Sequence, residues 1–314
     1  MRYYDLTITT PSSPSRVVKQ WTSHPNGIYD SGAQNIEFDM IVLPYETPSG
    51  GQIVRIYGIS LNDLQMAQEF TGLNISLKAG MKKGLPLANP LQSGLIAQGL
   101  IFQSFGNWEG TEMTLDFVIY PADTTGNITI NWTAGQKLAD ALKISFANAY
   151  PNIQPKINIS DTLVLSHDEV GYYSSFTEMA QTLSGITAAQ GHPVFMVYQG
   201  DTITVFDDTY SPNPIQLNFV DLVGQPTWIS VNTMQLKVIL RADISVGSKI
   251  KMPIGMGSVP GLVSTRADSL PSGLKYKTSF QGLFLVTELR QLGNFRTNDG
   301  ASWVTIINCT VSNG

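Results

Sequence analysis

Two segments far apart in the chain share the pattern Gln-Gly-Leu followed by two apolar residues: Gln98-Gly99-Leu100-Ile101-Phe102 and Gln281-Gly282-Leu283-Phe284-Leu285. Each opens a strand, passes through a Gly- and Asn-containing turn (Gly106 to Gly110, Gly293 to Gly300) and returns as a second strand. The returning strands, Met113 to Ile119 and Trp303 to Cys309, alternate with the period of two expected of half-buried strands. The pair predicts one β-module used twice.

At 314 residues the chain is long enough for two or three domains, each with its own core. With 42% hydrophobic and 14% charged residues, and no like-charge block, it is expected to be ordered throughout. The net charge is −5, and no basic cluster exceeds Lys82-Lys83, so the electrostatic footprint of a nucleic-acid binder is missing. The single cysteine, Cys309, excludes an intrachain disulfide and a thiolate metal cage; its place in an alternating strand predicts a buried core thiol. No segment has the apolar length of a signal peptide or of a bilayer span, so the chain is expected to be made and folded in the cytoplasm, with its five Asn-x-Ser/Thr triplets unglycosylated.

From Tyr3 to Ile119 the signal is strand. Ile36, Phe38, Met40 and Val42 alternate with polar residues, Ile53 to Ile59 is a β-rich run, and Leu73, Ile75, Leu77 and Ala79 share a face. Ser60 with Asp63 reads as a capping box opening a short helix. After Pro121 the composition turns mixed. Thr133 with Gln136, and Ser175 with Glu178, read as capping boxes for two helices: one presents Leu138, Leu142 and Phe146 and stops at Pro151; the other presents Phe176, Met179, Ala180 and Leu183 and ends at Gly185. Val194 to Tyr198 and Thr202 to Phe206 flank Gly200-Asp201 as a hairpin. Strands return in the last third, where Met234, Leu236, Val238 and Leu240 alternate, and Gly255 to Gly273 reads as a loop, mobile or ordered by a partner. The fold class expected is mainly β with some α: a β domain over residues 1–124, a mixed α/β insert over 125–209 and a second β domain over 210–314.

Sites of chemistry are sparse. His24, His167 and His192 are far apart and lack zinc-site spacing, and His167-Asp168-Glu169 reads as a solvated loop. Asp207 and Asp208 are adjacent at a strand end, where alternation sends side chains to opposite faces; a turn end is the expected reading. No nucleophile elbow, P-loop or dinucleotide fingerprint occurs, and no cofactor or metal is expected. The five tryptophans are scattered, which favours core and interface roles over sugar-stacking platforms.

The order of motifs resembles the baseplate hub proteins of contractile-tailed bacteriophages. Ile53 to Ile59, the strand Leu73 to Met81 with its Ala-Gly80-Met81 ending, and Gly99-Leu100-Ile101-Phe102 with its returning strand are similar to the first tube-like domain of that family; Met81 stands where an aromatic is usual. Gly224-Gln-Pro226-Thr227 before Met234 to Asp243 resembles the element preceding the second barrel, and Gly282-Leu283-Phe284-Leu285 to Cys309 resembles the closing strand pair. The resemblance implies two tube-like β-barrel or sandwich modules separated by the insert, and a non-enzymatic subunit of a pseudo-sixfold homotrimeric ring in the virion baseplate. The implied neighbours are a central spike protein, the tail tube or its initiator, baseplate wedge proteins and a tape-measure protein, with DNA passing through the lumen unbound and no membrane insertion. The alternative is a β-rich ligand-binding or adhesion module.

Overall fold

The computed structural model describes residues 1–44, 52–82, 92–120, 127–151, 153, 155–253, 280 and 282–312. Residues of the first third form β1 (Arg2–Thr9), β2 (Val17–Thr22), β3 (Ile36–Val42), β4 (Gln52–Tyr57), β5 (Asn74–Met81), β6 (Gly94–Glu109) and β7 (Glu112–Tyr120). Between β4 and β5 lie α1 (Leu61–Gln65) and a 3-10 turn (Ala67–Phe70). The sequence alternation is the cause: Ile36, Phe38, Met40 and Val42 are buried on one face of β3, and Ile75, Leu77 and Ala79 on one face of β5. The Ser60 hydroxyl caps α1 by accepting from the Asp63 amide, as the sequence predicts.

The middle segment holds β8 (Ile128–Trp132), α2 (Leu138–Ala149), β9 (Lys156–Asn158), β10 (Glu169–Tyr173), α3 (Phe176–Ala188), β11 (Phe195–Gln199) and β12 (Thr202–Phe206). β10 pairs with β8, and β11, β12 and β9 form a second small sheet. Ile130, Trp132, Leu142, Phe146, Phe176, Met179 and Leu183 share one buried cluster here. Burial of each large apolar side chain contributes on the order of 1.5–3 kcal/mol.

The last third forms β13 (Ile215–Gln216), β14 (Thr227–Trp228), β15 (Thr233–Ile239), β16 (Lys249–Lys251), β17 (Leu283–Asn294) and β18 (Trp303–Val311). Among the described residues the first and last thirds build a single sheet of 13 strands. Its order repeats. In the first third the neighbours run β3-β4-β7-β6-β5-β1; in the last they run β14-β15-β18-β17-β16-β13, and the chain visits the six positions in the same succession both times. Among the described residues β2, beyond β1, has no counterpart, and the sixth position differs in direction, β1 running antiparallel to β5 and β13 parallel to β16.

Hydrogen bonds fix the correspondence residue by residue. The Gly72 amide donates to the Ile101 carbonyl and the Ile101 amide to the Leu73 carbonyl, both at 2.8 Å; the Gly247 amide donates to the Val286 carbonyl and the Val286 amide to the Ser248 carbonyl, both at 2.9 Å. A β-bulge follows each pair, at Phe102 and at Thr287. Ile101 therefore corresponds to Val286 and Leu100 to Leu285. The literal Gln-Gly-Leu match, which sets Leu100 against Leu283, is out of structural step by two residues. A slip of two keeps every side chain on its face, so alternation alone does not expose it.

The two modules join along β17. Its first residues pair with β16, and beyond the Thr287 bulge the strand crosses to β3, with Leu289 opposite Val42 and Asn294 opposite Glu37. The cores interlock at this seam: Leu240, Phe295 and Trp303 lie in the core of the first third, and Val42 in that of the last. Arg2 clamps the loop after β17, donating to the carbonyls of Asn294 at 2.7 Å, Phe295 at 3.2 Å, Thr297 at 2.5 Å and Asp299 at 2.7 Å.

Several sequence expectations shift. The β6–β7 turn lies at Gly110-Thr111, because β6 keeps its pairing through Glu109, opposite Glu112. Thr133 and Gln136 bond each other in a turn, and α2 begins only at Leu138, with Lys137 at its N-cap. α3 runs past Gly185 to Ala188, where the buried Thr187 hydroxyl donates to the Leu183 carbonyl and accepts from the Val194 amide. The loop Gly255 to Gly273 lies outside the described residues.

Candidate assembly surface

The outward face of the central strands carries a lattice of paired charges. Arg55 on β4 grips Asp116 on β7 with two bonds, of 2.6 and 2.9 Å, and Asn107 on β6 adds a third to the same carboxylate at 3.2 Å. Across the seam, Arg290 grips Asp39 at 2.9 and 2.5 Å, and the Tyr57 hydroxyl donates to Glu37 at 2.6 Å. The bond to Asp116, with a smaller one involving Tyr57, pushes the Arg55 guanidinium up, and the bond to Asp39 does the same for Arg290. These pairs neutralise one another, so the face presents polar groups with little net charge.

At the seam itself the fit is steric. A Cβ on Gly293 would lie 2.2 Å from the Phe38 ring, so the missing side chain of β17 makes room for the large one of β3. Phe38 in turn meets Trp303 edge-on at 5.3 Å, and the Trp303 indole donates to the Gly80 carbonyl at 2.9 Å.

Two stretches resemble the seam strands but are paired with a strand on one side alone among the described residues. β14 is one end of the sheet, and the far half of β6, from Gln103 to Glu109, pairs only with β7. Large apolar side chains stand exposed on both: Phe105 (43%) and Trp108 (62%) on β6, Ile229 (42%) and Val231 (46%) after β14. Apolar exposure of this kind at a sheet edge marks a surface built to be covered. A second exposed set, Val170, Tyr172 and Ile144, lies on the middle segment.

The residues singled out in the sequence fall along this same sheet. Gly80 pairs with Tyr3 at the end of β5, and its absent Cβ leaves room for the Ser93 backbone. Gly99 sits where a Cβ would lie 1.9 Å from the Tyr120 carbonyl oxygen. Leu100 is half-buried between Asn74 and Tyr120, and Phe102, at the bulge, is 57% exposed with its ring 4.6 Å from that of Tyr120. Gly224 and the buried Pro226 precede β14; Gly282 precedes β17, whose Leu283 and Leu285 are half-buried opposite Lys251 and Lys249. The sequence reading missed the exposed residues Phe105 and Ile229. Their signal is an apolar residue on the polar side of a strand, and it needs the register to be visible.

Asp207 and Asp208 do converge, contrary to the alternation argument, because Asp208 already lies in the turn past β12. One ligand atom from each lies within 4.8 Å of His192. Asp207 is spent on the turn: it accepts from the Ser160 amide at 2.5 Å and from the Thr209 amide at 2.9 Å. Asp208 bonds His192 Nδ1 at 2.7 Å, which raises the imidazole pKa. His167 lies on the surface, 3.8 Å from Glu169. Cys309 is buried, and burial pushes its thiol up to about 12, out of reach of nucleophilic chemistry at neutral pH. Trp21, Trp132 and Trp303 are buried, which removes them as stacking platforms.

No protein-family model matches the sequence, and no curated protein is similar to it. Solved structures are similar in fold. A tail protein from Neisseria meningitidis MC58 superposes with a TM-score of 0.52 at 9% identity, covering 98% of this chain and 96% of that one. The 43 kDa tail protein of prophage MuSo2 from Shewanella oneidensis gives 0.53 at 8% identity, with 99% and 98% covered. The likeness spans both β modules and the segment between them.

Proposed function

We propose that this chain is a structural subunit of a phage tail baseplate hub, a homotrimer whose two β modules per chain form a pseudo-sixfold ring between the tail tube and the central spike. The observation that carries the reading is the strand order run twice in one sheet. A threefold ring that seats a sixfold tube needs two equivalent tube-facing units in each chain, and the repeated strand order supports that reading. The whole-length likeness to two tail proteins supports the same reading.

In this reading residues 1–124 and 210–314 are the ring-forming domains, and the insert, 125–209, faces outward to wedge proteins. The tube or its initiator, the spike and the tape-measure protein meet the two ends of the ring, and the virion tail is the site of action. The work is mechanical: the ring holds a channel open and matches two symmetries. A net charge of −5 and the neutralised outer lattice suit a surface along which DNA slides without adhering.

Mass in solution by light scattering, with negative-stain images of the same peak, tests this. A trimer with a central pore and near-sixfold outline is expected. A monomer at high concentration that forms no ring with a candidate spike protein would overturn it.

A further inference from the structure

We propose that Asn26 is a site of spontaneous main-chain modification, deamidation through a cyclic imide, and that the turn holding it keeps the reaction shut off in the folded protein. Asn26 and Gly27 form an Asn-Gly step between β2 and β3, and both residues are exposed. Asparagine is among the chemically labile residues, and Gly27 has no side chain to shield the amide nitrogen that follows it.

The step needs nothing beyond the chain and water. The Gly27 nitrogen, having released its proton to solvent, attacks Cγ of Asn26. The N–Cγ bond forms, the Cγ–Nδ2 bond breaks, and Nδ2 leaves as ammonia, taking up the proton that Gly27 gave. Water then opens the imide at either carbonyl. Opening on the side-chain carbonyl leaves aspartate; opening on the main-chain carbonyl leaves isoaspartate, with an extra carbon in the backbone. Nothing is oxidised or reduced.

In the folded chain the geometry opposes that attack. His24 to Gly27 is a β-turn: the Gly27 amide donates to the His24 carbonyl at 3.0 Å, and the Ile28 amide to the Pro25 carbonyl at 3.1 Å. Proline followed by a residue of positive φ is the arrangement of a type II turn, and asparagine accepts that φ more readily than most side-chain-bearing residues. Asn26 has φ of 53° and ψ of 24°. At that ψ the Gly27 nitrogen nearly eclipses the nitrogen of Asn26 itself, which at a tetrahedral Cα turns it away from Cβ and the carboxamide. Ring closure needs it on the Cβ side, so ψ must swing through more than a right angle and the bond to His24 must break.

The turn is anchored at both ends. His24 is buried, its Nδ1 lies 2.8 Å from Ser23 Oγ, and its ring meets those of Tyr3 and Tyr29 edge-on at 5.5 and 5.6 Å. Ser23 Oγ accepts from the Tyr4 amide at 3.0 Å, which ties the start of the turn to β1. Downstream, Arg296 donates to the Ser31 carbonyl and the Tyr4 hydroxyl to the Gln34 carbonyl, both at 2.7 Å. Modification therefore proceeds only in molecules whose turn has opened, and its rate reads that fraction. Isoaspartate lengthens the main chain between two fixed ends, so the turn cannot close as before, and either product adds one negative charge to a chain of net −5.

The test ages the full chain at mildly alkaline pH, native and unfolded in guanidinium chloride, and follows the tryptic peptide Gln20 to Arg55 by mass spectrometry with fragmentation that separates isoaspartate from aspartate. The unfolded chain is expected to be modified at Asn26, and the native chain at least about tenfold more slowly, because two backbone hydrogen bonds must open first. Pro25→Ala, at an exposed position, keeps both bonds of the turn but frees the opened state, and is expected to speed native modification roughly two- to fivefold with the unfolded rate near that of the wild type. An unfolded chain that stays intact at Asn26 overturns the site. Equal rates in native and unfolded chains, or a native rate unmoved by Pro25→Ala, overturn its control by the turn.

Discussion

The Trp303 indole nitrogen lies 2.9 Å from the Gly80 carbonyl oxygen, joining strands 223 residues apart in sequence. This bond ties the second module's last strand to the first module's core, and replacing Trp303 tests how far the two modules unfold together. Trp303→Phe keeps most of the apolar volume but leaves a buried carbonyl without its donor, at a cost of about 1–3 kcal/mol. Trp303→Ala also opens a cavity and is expected to cost roughly 3–5 kcal/mol. In urea titrations followed separately by probes in each module, both variants should shift a single shared transition. Independent transitions would refute the interlock.

Arg2 reaches the loop between β17 and β18 through a planar fork of donors. Lysine keeps the charge but cannot span the same carbonyls. Arg2→Lys is therefore expected to destabilise the fold by about 1–3 kcal/mol. Hydrogen exchange should speed up in residues 295–302 and stay unchanged in α3.

Gly72 and Gly247 hold corresponding places with φ of +83° and +86°, yet their surroundings differ. A Cβ on Gly72 meets nothing within 4 Å, whereas one on Gly247 would lie 2.7 Å from the Phe206 ring. Gly72→Ala should cost only the backbone strain, about 1–2 kcal/mol. Gly247→Ala adds a clash inside the core and should lower the thermal midpoint clearly further. Equal losses would show that the Phe206 ring yields freely.

The His192 Nδ1–H donates to the Asp208 carboxylate at 2.7 Å, and that bond, against a smaller effect of desolvation, raises the imidazole pKa. A group whose folded pKa is raised contributes stability that is full below its unfolded value, near 6.5, and fades as pH rises through the folded value. NMR titration should place the His192 midpoint above 6.5 in the wild type and bring it back towards that value in Asp208→Asn. A midpoint unmoved by the substitution would remove the ion pair as its cause.

Asp63 titrates in the opposite sense. Desolvation, the largest single influence, raises its pKa, but the bonds from Lys19 and Ser60 together outweigh it and the net shift is downward. Its contribution is full above about pH 4 and is lost as pH falls through the lowered folded value. Lys19→Met should raise the Asp63 midpoint in a carbon-detected titration and make acid unfolding begin at higher pH.

Much of the sheet was legible because alternation reports faces. The buried sets of β3, β5 and β15 follow from spacing alone, and the α3 face follows from Phe176, Met179, Ala180 and Leu183. Register was not legible, since a strand moved by two residues looks the same to its hydrophobic pattern; hence Leu100 was matched with Leu283 rather than Leu285. The deeper repeat lies in pairing, at Gly72 with Ile101 and Gly247 with Val286, where the sequences around each glycine share little else. The helix start at Leu138 was missed because Thr133 and Gln136 satisfy each other without a helix between them.

The crossing of β17 onto β3 also sets an order of events during synthesis. β3 is complete by residue 42, but the strand that covers it is not made until residue 294 has been added. For most of translation the nascent chain carries an open, apolar strand edge, and its last hairpin acts as the latch. A truncated product that ends before residue 283 would be left with that edge exposed, so release of incomplete chains should favour clumping over the accumulation of partial subunits.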